Sequence, residues 1–260
     1  MEHPMSTSKL VVVAGAGGFI GGHLTAALRR QSDVSIRAVD SKPFEMWQQL
    51  FTDVENRCLD LQGLTACLEA CQGATEVYNL ASDMGGIGFI ERNKALCMRS
   101  VLINTQLLEA ARKMDVERFL FASSACVYPA HKQATRQAPP LKEEDVYPAM
   151  PEDGYGWEKL FGERLCRHYR EDFGLQTRVA RLHNVYGPFG AWRDGREKAP
   201  AAICRKVAQA KYTGQREIEI WGNGQQVRSF LWIEDCLQGL DKILHQDYTT
   251  EPLNLGPARR

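Results

Sequence analysis

The sequence predicts an α/β fold, a doubly wound and mostly parallel sheet with a smaller C-terminal lobe, and three observations predict it. Apolar strand-like runs alternate with helix-like runs over residues 9–186, the pattern of βαβ units. A glycine-rich turn, "GAGGFIG", joins the first of these strands to the first helix. From Gly187 the alternation loosens into "GPFGAWRDGREKAPAA", rich in glycine and charge. The expected division is a sheet domain over 9–186 and part of a second lobe over 187–260, with their contacts interleaved.

In chain order, "KLVVVA" reads as a buried strand and the residues after the glycine turn, to Gln31, as a helix. "SIRAVD" is a second strand ending in Asp40, and "TEVYNLAS" a third. "NKALCMRSVLINTQLLEAARKM" repeats its apolar residues at helical spacing, and "ERFLFASS" is the next strand. "RQAPPLKEEDVYPAMPEDG" is a loop, dense in proline and charge. "YGWEKLFGERLCRHYREDFG" is an amphipathic helix with Leu160, Leu165 and Tyr169 inward and Gly174 as its stop. "QTRVARLHNVYGP" is a strand and loop; a helix, a short strand in "REIEIWGNG" and the segment "FLWIEDCLQGLDKIL" follow.

Composition excludes several classes. Hydrophobic residues at 44% support a sizeable core, and 32 basic against 32 acidic residues argue against a nucleic-acid or membrane-surface binder. The start "MEHPMSTSKL" has no apolar signal core and no run is long enough to cross a bilayer, so the cytoplasm is the expected location. The 8 cysteines form no CxxC pair, and Cys67 and Cys71, one helical turn apart, have no nearby histidines, so reduced thiols and no metal site are expected.

Gly15, Gly18 and Gly21 form GxxGxxG between strand and helix. The first permits a tight turn, the second lets backbone approach a pyrophosphate, and the third brings helix and strand together, with the helix N-terminus favouring phosphate charge. Asp40, at the end of the next strand, is placed to accept hydrogen bonds from the ribose of NAD and to repel the 2′-phosphate of NADP. Asp60 in "CLDL" is a candidate partner for the adenine amino group. In "YGWEK", Tyr155 and Lys159 share a helix face. An ammonium beside a phenol lowers its pKa, and such a tyrosine accepts a proton from an alcohol as hydride leaves. Ser124, at a strand end, is placed to bond the same oxygen.

Together "GAGGFIG", Asp40, "NLAS", "SSACVYP", "YGWEK" and "RLHNVYGP" resemble the extended short-chain dehydrogenase/reductase family, from about Lys9 to Gly256. The resemblance implies a Rossmann sheet with NAD bound on the first lobe, near Phe19, Ile20, Leu80 and Ala81, and a nucleotide sugar against the second. "DMGGIGFI", "HNVYGPFG", "GREKAPAA" and "WGNGQQVRSF" are similar to the branch of that family that inverts C3 and C5 of GDP-mannose. That resemblance implies Cys126 and Lys198 as acid/base groups on opposite faces of the sugar. By itself Cys126 is more commonly a core thiol; Lys198 in its motif makes the chemical role the expected one. The thiol's ordinary pKa of about 8.5 falls beside a cation, and a desolvated lysine falls toward neutrality.

Carried over in the same way, Gly85, Gly86, Ala125, Glu197 and Ala199 border the sugar, Asn184 bonds the diphosphate or sugar, and Lys206 and Arg228, assisted by Gln226, neutralise the diphosphate. The resemblance also implies a homodimer through the helices around Leu96 to Met114 and Tyr155 to Phe173. Ser82 and Ser100 depart from the family's usual alanine and asparagine, and relatives carry more substrate lobe than the residues up to Arg260 supply. Two other readings stay open: a 4-epimerase or 4,6-dehydratase on the same scaffold, and a non-catalytic nucleotide-binding partner subunit.

Overall fold

The computed structural model describes residues 9–133, 140–220 and 228–257. In chain order its elements are β1 (Lys9–Ala14), α1 (Phe19–Leu28), β2 (Val34–Asp40), β3 (Glu55–Cys58), α2 (Leu64–Cys71), β4 (Glu76–Asn79), α3 (Ile87–Arg92), α4 (Lys94–Met98), α5 (Ser100–Lys113), β5 (Arg118–Ser124), α6 (Tyr155–Phe173), β6 (Gln176–Leu182), β7 (Asn184–Tyr186), α7 (Ala199–Thr213), β8 (Phe230–Trp232), α8 (Ile233–His245) and β9 (Leu253–Leu255). Seven strands form one sheet in the order β3-β2-β1-β4-β5-β6-β9, and β7 pairs with β8 in a second. Every pairing among the described residues is parallel.

Side-chain alternation explains why the central strands are apolar throughout. Val12 and Ala14 of β1 face one layer with Val77, Phe119 and Phe121, closed by α2, α5 and α6. Val11 and Val13 face the other with Ala38, Tyr78 and Leu120, closed by α1 and α8. Each strand is thus covered on both faces, as a parallel sheet requires. The chain turns in opposite directions from β1 and β4, so their carboxyl ends flank a crevice, the place where such sheets bind ligands.

The division at residue 187 is crossed by α8 and β9: α8 packs under the sheet with Ile233, Leu240 and Leu244 buried, and β9 hydrogen-bonds to β6. The helix expected over 93–114 is divided into α4 and α5 at Arg99, whose amide still bonds back to Ala95. A strand was expected in "REIEIWGNG"; residues 216–220 instead carry no regular structure and pair with no strand, and 221–224 lie outside the described residues. β3, α2 and α3 had no counterpart in the sequence reading; β3 is a four-residue polar edge strand, half-exposed, with little apolar signal. Gly174 ends α6 in the left-handed conformation at φ 76°, as its position implied. All eight cysteines are free, no group among the described residues could hold a metal, and no described helix is long and apolar enough to cross a membrane.

At the amino ends of the strands Glu76 is buried in β4 and pairs with Lys9, with His245 at 3.0 Å and with Arg118 at 3.6 Å. Burial opposes its charge, but hydrogen bonds from His245 and Lys9 win and hold the carboxyl below its ordinary 4.5. The Glu76 hydrogen bond outweighs burial at His245 and holds the imidazole above its ordinary 6.5. A depressed carboxyl stabilises above 4.5 and loses its effect as pH falls through the folded value, and a raised histidine stabilises below 6.5 and loses its effect as pH rises through its own. The melting-temperature gap between the unaltered chain and Glu76→Gln should therefore peak between these values and narrow towards pH 8 and below pH 4, in roughly that shape; a gap independent of pH would refute the pairing.

Candidate active site

The parallel arrangement brings the chemistry-bearing residues to one end of the sheet: the turn after β1, Asp40 at the end of β2, the segment after β4, and Ser124 at the end of β5. Gly15 sits at φ 86°, and a Cβ there would lie 2.9 Å from Leu80 C and Ala81 N. A Cβ on Gly21 would lie 2.1 Å from Gly15 O. The turn is therefore pressed against the loop after β4 by the lack of side chains, and Gly18, Phe19 and Ile20 lead into α1, whose first turn carries no acidic residue. This is a cradle for a phosphate at a positive helix end. Asp40, 8% exposed, fixes the same turn by accepting the Gly17 N–H at 3.1 Å and the Lys42 N–H at 3.0 Å. Its carboxylate keeps further acceptor capacity for a ribose. Asp60 is exposed two residues beyond the end of β3, which neighbours Asp40, and accepts the Gln62 N–H at 3.0 Å. These residues fit a dinucleotide.

Beyond β5 the chain makes a short 3-10 turn over 125–127, in which Ser124 Oγ accepts the Cys126 N–H at 3.2 Å. The same hydroxyl acts on the Cys126 thiol and on the Tyr155 phenol, favouring the charged form of each. Cys126, Tyr155 and Cys97 pack in one apolar cluster with Met84, Phe89 and Ile90. Lys159 Nζ lies 5.4 Å from the Tyr155 ring centroid, 4.8 Å from that of Phe121 and 3.5 Å from Glu158 Oε2.

Lys198 stands at the residue before the first turn of α7, without a capping bond from its side chain, and its charge and that of Cys126 act on each other. The structure thus brings together Ser124, Ala125, Cys126, Tyr155, Lys159 and Lys198. Burial lowers Lys198 from its ordinary 10.5, against the thiols of Cys126 and Cys236, as its motif suggested. Two expectations reverse. Burial pushes the Cys126 thiol above its ordinary value, although Ser124, Lys198 and Arg228 pull it down. Burial, then Cys126 and Glu158, push the Tyr155 phenol well above 10, where Lys159 was expected to lower it. In both cases loss of solvent around the anion outweighs the neighbouring cations.

The "DMGG" segment docks on "GREK". Gly86 N–H donates to Arg196 O at 2.9 Å, and a Cβ on Gly86 would meet Glu197 O at 2.5 Å. Arg196 donates to Met84 O at 3.1 Å, pairs with Asp83 at 3.6 Å and lies 4.0 Å over the Phe89 ring. Gly85 and Gly86 are therefore fixed next to Glu197, whose carboxylate is held low by its own backbone, by Arg205 at 2.9 Å and by the Gly195 N–H. Ala199 starts α7. Ser100, in the asparagine's place, accepts the Asp83 N–H at 3.0 Å and so supports that backbone. Ser82 Oγ donates to Ser100 Oγ at 3.4 Å.

Other expected residues have structural partners. Asn184 donates to Ser229 O at 3.2 Å and so ties β7 to the strand that follows Arg228. Arg228 is exposed and its charge reaches Cys126. Lys206 lies about 12 Å along α7 from Lys198 and donates to Glu219 O at 2.6 Å. Gln226 lies outside the described residues. Sequence reasoning missed Glu152 and Glu158. Glu158 is 3% exposed, its carboxylate oxygens have no hydrogen bond, and burial raises it against the pull of Lys159. A carboxylate three residues ahead of Tyr155, at a helix start, is the signal that would have found Glu152.

Among known proteins, GDP-mannose 3,5-epimerase of Arabidopsis thaliana is 43% identical over 247 residues, 95% of this chain. GDP-mannose 3,5-epimerase 1 of Oryza sativa subsp. japonica is 44% identical over the same length. The chain spans 64% of the length of each of these relatives. Among solved structures, UDP-glucose 4-epimerase of Thermotoga maritima superposes with a TM-score of 0.82 at 21% identity, covering 96% of this chain and 77% of that one. UDP-glucuronic acid 4-epimerase of Bacillus cereus, in complex with UDP-glucuronic acid and NAD, gives 0.77 at 25% identity, covering 96% and 78%. Residues 11–256 match one family along almost the whole described sheet, and the chain belongs to the NAD dependent epimerase/dehydratase family.

Proposed function

We propose that this chain epimerises GDP-mannose at C3 and C5, giving GDP-L-galactose with GDP-L-gulose beside it. The observation that carries this reading is the pairing of Cys126 with Lys198 beside Tyr155 and Ser124, each of the two acting electrostatically on the other. Identity of 43% to a GDP-mannose 3,5-epimerase supports it.

An unactivated sugar C–H is not acidic, so oxidation at C4 comes first and acidifies the protons at C3 and C5. NAD, when bound, would supply the hydride acceptor and donor at C4 and a positive ring charge. Gly15, Gly18 and the start of α1 would hold its diphosphate, and Asp40 its ribose. Tyr155, beside Ser124 and with the Lys159 ammonium near its ring, is the group placed to take the C4 hydroxyl proton; burial holds its phenol protonated, so the positive charge of a bound nicotinamide would have to favour the phenolate first. A lysine lowered by burial rests nearer the free amine, and a thiol raised by burial rests protonated. Inversion needs one proton acceptor and one donor on opposite ring faces, and this pair offers one of each. Lys198 accepts the carbon-bound proton and Cys126 delivers one to the other face. Thiol protons exchange with water, so an inverted carbon acquires solvent hydrogen. A homodimer belongs to the same reading: Met98, Leu102, Trp157 and Phe161 are exposed apolar side chains on the two helical segments expected to pair.

Incubated with NAD and GDP-mannose in heavy water, the chain is expected to incorporate deuterium at C3 or C5, read by NMR of the sugar. A 4-keto-6-deoxy product alone would make it a dehydratase. Bound NAD with no incorporation would make it a non-catalytic nucleotide-binding subunit.

A further inference from the structure

We propose that Glu152 is a positioning residue for Cys126, clasping the thiol's backbone to the first turn of the Tyr155 helix and presenting a carboxylate to the thiol. The inference rests on the reading of Cys126 as a proton donor.

Three contacts make the clasp. Glu152 N–H donates to Cys126 O at 3.0 Å. The Glu152 carboxylate Oε2 accepts the N–H of Gly156, in the first turn of α6, at 3.0 Å. A Cβ on Gly156 would meet Cys126 O at 2.4 Å, so the strand-end turn and the helix abut with no room for a side chain between them. One residue therefore holds both partners of the chemistry: its backbone fixes Cys126, and its side chain fixes the turn that carries Tyr155. Neither bond needs a charge, because an amide would accept from Gly156 as well. The charge is the part left over, and it acts through space on Cys126 and Cys97.

The groups that face Cys126 come from every neighbouring segment. Ser124 at the end of β5 bonds it, Lys198 at the start of α7 and Arg228 ahead of β8 act as cations, and Tyr155 of α6 packs against it. Glu152 is the carboxylate among them, and it raises the thiol. Glu152 in turn faces Asp153, Lys94 of α4 and Glu91 of α3, and it also acts on Cys97. Lys94 is engaged with Asp153 at 2.7 Å. Burial lifts the Glu152 carboxyl, against its bond from Gly156, yet it remains ionised in the alkaline range where a thiol titrates. Its charge thereby adds to burial in opposing Lys198 and Arg228, and so favours Cys126 as a proton donor.

The test uses the full chain without substrate, so it is independent of turnover. Alkylation of Cys126 by iodoacetamide is followed against pH, with the modified peptide quantified by mass spectrometry. Glu152→Gln keeps the acceptor for Gly156 and removes the charge; the midpoint is expected to fall by roughly half a unit or more, and alkylation at pH 7 to rise about threefold. Glu152→Asp keeps the charge and is expected to titrate near the unaltered protein. Glu152→Ala removes both, and is expected to lower the midpoint and the melting temperature together. An unmoved midpoint in Glu152→Gln, or one that rises, overturns the proposal, and a melting loss equal to that of Glu152→Ala with no change in titration leaves Glu152 a helix cap only. A shifted midpoint in a chain that incorporates no deuterium into GDP-mannose would uphold the clasp and refute the epimerase reading.

Discussion

Lys198→Met is expected to reduce solvent-deuterium incorporation into GDP-mannose by about 10²–10⁴-fold, the usual contribution of a positioned acid or base. Methionine keeps the length and apolar stem of the lysine, and removal of a part-buried cation leaves nothing charged behind, so the melting temperature should be nearly unchanged. Cys126→Ala should cost a similar factor, but for the opposite half of the inversion. Neither substitution touches the hydroxyl of Ser124 or the phenol of Tyr155, so C4 oxidation should survive in Cys126→Ala and appear as an absorbance near 340 nm without epimerised sugar. The two losses should not multiply in the double variant, because an inversion lacking either group is already stopped. Full incorporation by either single variant would remove that residue from the chemistry.

Arg181→Met is expected to cost about 3–5 kcal/mol of stability, the usual penalty for breaking a buried ion pair from one side. Arg181 and Glu163 are 3% and 5% exposed and meet through two hydrogen bonds, at 2.9 and 2.8 Å. Ser123 donates to the same carboxylate at 2.5 Å, and Arg181 also donates to the Tyr128 hydroxyl at 2.9 Å and to Glu143 O at 2.8 Å. Tyr128 passes the chain of bonds on to Asn254 at 2.7 Å. The network lies directly under the segment that carries Ser124 and Cys126, and it ties β5, β6, α6 and β9 together. Methionine would strand the Glu163 charge in the core. For a chain of this size the loss should appear as a fall of on the order of 10 °C in melting temperature. Arg181→Met combined with Glu163→Leu should recover a large part of it, since two apolar side chains of suitable volume replace a buried pair at little net cost. An unchanged melting temperature in the single variant would show that the pair adds nothing.

The parts of the fold that could be read from the chain are those with a local cause. Val11, Val12 and Val13 in succession suit a strand covered on both sides, and Gly15, Gly18 and Gly21 suit a turn against which other backbone is pressed. The candidate residues Ser124, Tyr155 and Lys159 could be named for the same reason: they lie at element ends whose direction is fixed by parallel winding. What was hidden depends on distant partners. β3 exists because β2 offers it an edge, and its own four residues carry little signal. The return of α8 and β9 to the large sheet is a matter of topology, which periodicity does not record. The reversed directions at Tyr155 and Cys126 come from burial, which depends on everything packed around them. Glu152 has no motif of its own and acquires a role only when Cys126 O is found beside it.

The short strand β9 has a consequence for how the molecule comes to be folded. It supplies the outer neighbour of β6 through Leu253, Asn254 and Leu255, more than seventy residues downstream of the partners Ala180 to Leu182. On a ribosome, β1 to β6 emerge long before those residues do. Until then β6 remains an open edge, a row of unpaired amides and carbonyls able to recruit a strand from another nascent chain. Contacts of such sequence separation also form late. A chaperone that shields β6 during synthesis should therefore raise the soluble yield, and substitutions that slow β9 docking, such as Asn254→Pro, should lower it more than they lower the stability of protein already folded.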